Sequence, residues 1–107
     1  MIHKVDPDLW FDQNFVKLSP EQKFIVLALC LCDETTNDGV YEASQAAILD
    51  MARITGMSPD AWASVINGIA SQEDGLVRTV SAISNPYIQI DLGKLGRYFP
   101  RFKKDAR

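Results

Sequence analysis

The chain has one histidine, two cysteines and no uninterrupted apolar run near the ~20 residues that a membrane span requires. Each scarcity removes a class of function. His3 stands alone near the N-terminus, where a solvated side chain is expected over a catalytic one. Cys30 and Cys32 lie two apart on an expected helix, which turns their side chains about 200° from each other. That separation disfavours a shared metal or a disulfide and suggests two small core residues in a reducing compartment. No nucleophile is paired with a base, and neither a glycine-rich phosphate loop nor a metal-ligand cluster is present. No enzyme activity, cofactor or metal is therefore expected. The opening Met1-Ile2-His3-Lys4-Val5-Asp6-Pro7 lacks the apolar core and cleavage site of a secretory leader, so a cytoplasmic protein with no membrane contact is expected. There is no internal repeat, low-complexity tract or interdomain linker, and 107 residues suit one domain.

What is present centres on Ser19-Pro20-Glu21-Gln22-Lys23 followed by nine apolar residues, Phe24 to Cys32. Ser19 is placed to cap a helix, Pro20 suits its first position, and Gln22 completes a capping box. The resulting helix, expected from Pro20 to Asp33, is apolar on all sides and must be covered on most of them. Either the chain's own core or a second copy or partner supplies that cover.

Charge is unevenly distributed. Residues 1–92 carry five Lys and Arg against thirteen Asp and Glu, a balance of -8, whereas residues 93–107 carry six against one, a balance of +5. An acidic body with a basic tail is either a solvated terminus or an arm that contacts phosphate.

Taken in order, Asp8 to Lys17 is expected to form a short helix with Leu9, Trp10, Phe15, Val16 and Leu18 facing the core and Phe11 covering the central helix. Glu34 to Gly39 is a turn, and Val40 to Ala43 a very short strand. Ser44 caps a helix from Gln45 to Thr55 whose apolar stripe is Ala47, Ile48, Met51, Ala52 and Ile54, stopped by Gly56. Ser58-Pro59 starts a second helix, to about Gln72, that buries Trp62, Val65, Ile66 and Ile69. Leu76 to Val80 and Tyr87 to Leu92 form a β-hairpin closed by Ala82 to Pro86. Tyr98, Phe99 and Phe102 interleave with the tail charges, so part of the tail is expected to pack back.

This is a mostly α fold with a small β-hairpin, an α+β chain in winged helix-turn-helix order: a domain over 1–92 and a basic C-terminal tail over 93–107. Three stretches carry a family resemblance: Lys4-Val5-Asp6-Pro7-Asp8-Leu9-Trp10-Phe11-Asp12, Leu18-Ser19-Pro20-Glu21-Gln22-Lys23 and Gly39-Val40-Tyr41-Glu42. With Tyr87-Ile88-Gln89-Ile90 and the basic and aromatic residues after it, the chain resembles the N-terminal winged helix domain of phage replisome organisers. These are similar to the DnaD-type primosome proteins of Gram-positive bacteria. The resemblance implies a phage or bacterial origin and a role in starting DNA replication, by binding origin DNA or oligomerising and by helping to recruit a helicase loader. It also implies a further C-terminal part, so the chain is either a fragment or a shorter relative.

In a DNA-binding winged helix the helix from Pro59 would enter the major groove, with the hairpin as the wing. Its outward positions, Asp60, Ala63, Ser64, Asn67, Gly68 and Ser71, include no cation, whereas family members often carry lysines there. Asn67 suits an adenine edge, and Ser64 and Ser71 suit phosphate. Other phosphate contacts are expected from Arg78 on the wing and from Lys94, Arg97, Arg101, Lys103, Lys104 and Arg107 in the tail, giving salt-dependent binding of double-stranded DNA. The alternative is a protein-interaction or homo-oligomerisation module in which Ala63, Asn67, Gly68 and Phe11 meet a second copy or a replication partner protein. A phage transcription regulator differs from the first reading only in its target site.

Overall fold

The computed structural model describes residues 3–80 and 86–102. The chain opens with a 3₁₀ turn over Pro7–Phe11, capped by Asp6, whose carboxylate accepts from the Asp8 amide at 2.9 Å. Asp12 then starts a separate helix, α1 (Gln13–Val16), accepting from the Asn14 and Phe15 amides at 2.9 and 3.2 Å. One continuous helix was expected here. Asp12 prevents it, because its carboxylate takes the amides that an uninterrupted helix would bond to backbone carbonyls. The break also rotates the apolar positions. Leu9, Phe15 and Leu18 are buried as expected, but Trp10 is 54% exposed, Val16 also faces outward, and Phe11 is 83% exposed instead of covering the central helix.

The central helix, α2 (Pro20–Leu31), begins as its sequence indicates. Ser19 Oγ accepts from the Gln22 amide at 3.2 Å, and Gln22 Oε1 accepts from the Ser19 amide at 3.0 Å. Ile25, Val26, Leu29 and Cys30 are buried, whereas Phe24 is half exposed, so the fold leaves one side of this apolar helix open. A turn follows in which Gly39, at φ +79°, takes the left-handed conformation that glycine adopts without a side-chain penalty.

Next come β1 (Val40–Glu42), α3 (Gln45–Thr55) and α4 (Pro59–Ala70). Ser44 and Ser58 cap the two helices, accepting from the Ala47 and Ala61 amides, each at 3.1 Å. Gly56, at φ +74°, ends α3. The bounds of α3 match expectation, and so does its stripe except at one position: Met51 and Ala52 are buried, Ala47 and Ile48 pack against the core, and Ile54 is 64% exposed. α4 buries Trp62, Ile66 and Ile69, as its three- and four-residue spacing indicates, leaves the fourth expected residue, Val65, half-buried, and packs against α2, α3 and β2.

β2 (Val77–Val80) and β3 (Tyr87–Ile90) form the expected hairpin, and β1 adds to the other edge of β3. The result is an antiparallel sheet in the order β1-β3-β2, with Ile88 between Tyr41 and Thr79. Residues 81–85, most of the expected hairpin loop, lie outside the described residues.

The C-terminal segment is part of the same core. α5 (Leu92–Leu95) is followed by 3₁₀ turns over Gly96–Tyr98 and Pro100–Phe102. Leu95, Tyr98, Phe99 and Phe102 are buried, and the Asp6 amide donates to the Tyr98 carbonyl at 2.7 Å. The division expected after Leu92 therefore falls at the first residue of a helix, and residues 92–102 pack with the body. His3 is likewise anchored, its Nε2 lying 2.8 Å from Asp33 Oδ1, instead of being solvated as expected.

Candidate interaction surfaces

Three surfaces bear the residues of interest. The first is the C-terminal segment. Arg101 lies over the C-terminal end of α2, where the last carbonyls of a helix lack backbone partners and a cation meets the negative end of the dipole. One guanidinium nitrogen donates to the Cys30 and Cys32 carbonyls at 3.0 and 2.7 Å, and the other donates to the Thr35 carbonyl. The same guanidinium stands 5.3 Å from the centre of the Phe102 ring. Arg101, expected on phosphate, is thus a cap for the central helix, because three carbonyls converge on it.

The other cations of this segment also have partners. Lys94 Nζ is 3.2 Å from Asp91 and 3.9 Å from Asp74. Arg97 is 3.8 Å from Asp12 and lies over the Tyr98 ring, but its side chain remains largely exposed. Lys103, Lys104 and Arg107 lie outside the described residues. Beneath Arg97, the Tyr98 hydroxyl donates to Asp12 Oδ2 at 2.6 Å. Burial alone would raise the Asp12 pKa. The Tyr98 hydroxyl, the two amides of α1 and Arg97 outweigh it and hold this carboxyl below its usual range. The same bond, with burial and the Asp12 charge, raises the Tyr98 pKa.

The second surface is the outer face of α4. Ser64, Asn67 and Ser71 are exposed there, with Asp60 in the first turn and no cation along the helix. The Ser71 hydroxyl donates to the Gly68 carbonyl at 3.1 Å. Ala63 and Asn67 line a cleft of about 240 Å³ against Thr79, Val80 and Tyr87 of the hairpin. Gly68 does not belong to this face as expected. It is half-buried against α2, where a Cβ would stand 3.6 Å from Gln22 Nε2. Arg78 is exposed on β2.

The third surface escaped the sequence reading. α2, β1 and α3 enclose an open groove of about 400 Å³, lined by Ala28, Leu31, Tyr41, Ala47, Met51 and Ile54, with Glu34, Asp50 and Arg53 at its edges. Burial, followed by the neighbouring Cys32, Glu34 and Asp50, pushes the Tyr41 phenol up to about 12, and its hydroxyl donates to the Ala47 carbonyl at 3.1 Å. The available signal was that Leu49 and Ile54 are two apolar residues more than one helical stripe can bury.

Cys30 is buried and its thiol pKa is raised by burial, whereas Cys32 is half-buried with Sγ 3.2 Å from Thr35 Oγ1. Among the described residues, no three His, Cys, Asp or Glu side chains group to hold a metal, and no helix is long and apolar enough to cross a membrane. No family model, curated protein or solved structure matches the chain.

Proposed function

We propose that the chain is a winged helix domain of the replisome-organiser kind, serving DNA replication initiation chiefly as an assembly module. The order of helices and strands supports the winged helix reading, with α3 and α4 as the helix-turn-helix, β2 and β3 as the wing, and β1 on the wing's inner edge. One observation carries the choice of assembly over DNA reading. Two of the three described cations of the C-terminal segment, Lys94 and Arg101, are held by carboxylates or backbone carbonyls, and α4 offers none of its own. Phosphate binding requires cations free to replace counterions.

Direct DNA binding is the second reading, favoured by the exposed Arg78 on the hairpin and the exposed side chain of Arg97. A titration of labelled duplex DNA with the intact chain at low and moderate salt separates the two. Ending the chain at Leu92 would remove the buried Leu95 and Phe99, so the matched variant is Arg78→Ala/Arg97→Ala. Assembly predicts no saturable binding at low salt. Binding that weakens with salt and falls in the double variant would overturn it in favour of phosphate contact.

A further inference from the structure

We propose that α3 is a self-recognition seam through which two copies of this chain pair antiparallel about a two-fold axis passing between Met51 and Ala52. The inference rests on the assembly reading and names its partner. The outer face of α3 presents Ala46, Leu49, Asp50 and Arg53, with Ile54 at the edge of the groove against α2. Leu49 is 53% exposed and Ile54 64%, on a helix whose opposite side is already buried. These residues form a self-complementary pattern, apolar, acid, two positions, base, apolar, whose reversal sets acid against base and apolar against apolar. A two-fold interface joins a surface to itself, so it requires such a pattern.

An antiparallel pair about this axis sets each Asp50 level with the partner's Arg53, forming two charge pairs across the seam. Within one chain the same residues meet only at 3.8 Å, both largely exposed, a geometry that contributes little. The axis also sets each Ile54 level with the Ala47–Asp50 turn of the other copy. There it faces the other copy's groove, lined by Ala28, Leu31 and Met51. Charge complementarity thus selects a second copy: an unrelated helix would have to present both signs at the same spacing.

Sedimentation equilibrium across the micromolar to millimolar range tests the seam. A concentration-dependent dimer is expected. The reversals Asp50→Arg and Arg53→Asp should each weaken association by about tenfold or more, since like charges then face each other. An equimolar mixture of the two reversed chains should dimerise again, because each supplies what the other lacks. Ile54→Asp, at an exposed position, should give a folded monomer, with circular dichroism confirming the fold. A wild-type chain that stays monomeric, or a dimer indifferent to the reversals and to Ile54→Asp, would overturn the seam. Neither result touches the duplex titration, so failure of the seam and failure of the assembly reading are separable.

Discussion

The C-terminal segment over residues 92–102 and the outer face of α4 differ most in what happens to charge. The first is rich in Lys and Arg, yet Arg101 caps α2 and Lys94 bridges two carboxylates. The second is neutral and open, with Ser64, Asn67 and Ser71 facing out and Asp60 near its start. A basic stretch in sequence is therefore a different thing from a basic surface. A cation beside unpaired helix carbonyls becomes a structural bond, and its attraction for an outside anion is reduced accordingly.

The largest test removes the bond that most distinguishes the two regions. Arg101→Ala strands the Cys30 and Thr35 carbonyls at a half-buried site, leaves the Cys32 carbonyl only the Thr35 amide at 3.4 Å, and should cost about 2–3 kcal/mol in urea denaturation, with an unchanged slope. Arg101→Lys should recover only part, because an ammonium cannot span three carbonyls. A phosphate-binding arginine would give little stability change in either variant.

Tyr98→Phe should cost about 1–2 kcal/mol at neutral pH by leaving the Asp12 carboxylate without its hydroxyl donor. The sign follows from the shifts. The folded Asp12 pKa lies below its unfolded value of about 3.9, so its contribution is present above that pH and lost as pH falls through the folded value. The raised Tyr98 pKa gives a contribution present at neutral pH and lost as alkaline pH passes the folded value. Stability measured against pH should accordingly show a shallower acid limb in Tyr98→Phe than in the wild type.

Supplying the missing cations inverts the comparison. Ser64→Lys/Asn67→Lys/Ser71→Lys should confer low-salt duplex binding that the wild type lacks, with a log-log salt slope of roughly 2–3 from the three added cations. Unchanged binding would show that α4 does not face nucleic acid. The smallest effect is Gly68→Ala. The added Cβ meets Gln22 at ordinary contact distance, so restricting the unfolded chain should stabilise the protein by about 0.5–1 kcal/mol in the same denaturation assay.

The helix starts at Ser19, Ser44 and Ser58 were readable because a cap involves residues two or three apart. The stop at Gly56 was readable for the same reason. The errors cluster where one short-range bond competes with a pattern, as when Asp12 split the first helix and turned Trp10 and Val16 outward. The candidate sites fared less evenly. Ser64, Asn67 and Ser71 face out as expected, but Gly68 faces α2 and Arg101 is engaged internally. The groove beside α3 was missed because Ile54 fits a helical stripe on paper.

By itself the sequence determined where the main helices begin, that an apolar helix dominates the middle, and that a hairpin follows α4. Capping, turn geometry and residue periodicity act over a few positions and need no knowledge of the rest. Only the tertiary structure decided that β1 joins β3, that Tyr98 reaches Asp12 from 86 residues away and that Arg101 reaches Cys30 from 71. It likewise decided that α3 keeps an apolar, charge-balanced face uncovered. Those outcomes depend on which surfaces meet in three dimensions, and hydrophobic burial, being non-directional, leaves that choice to the packing of the whole chain.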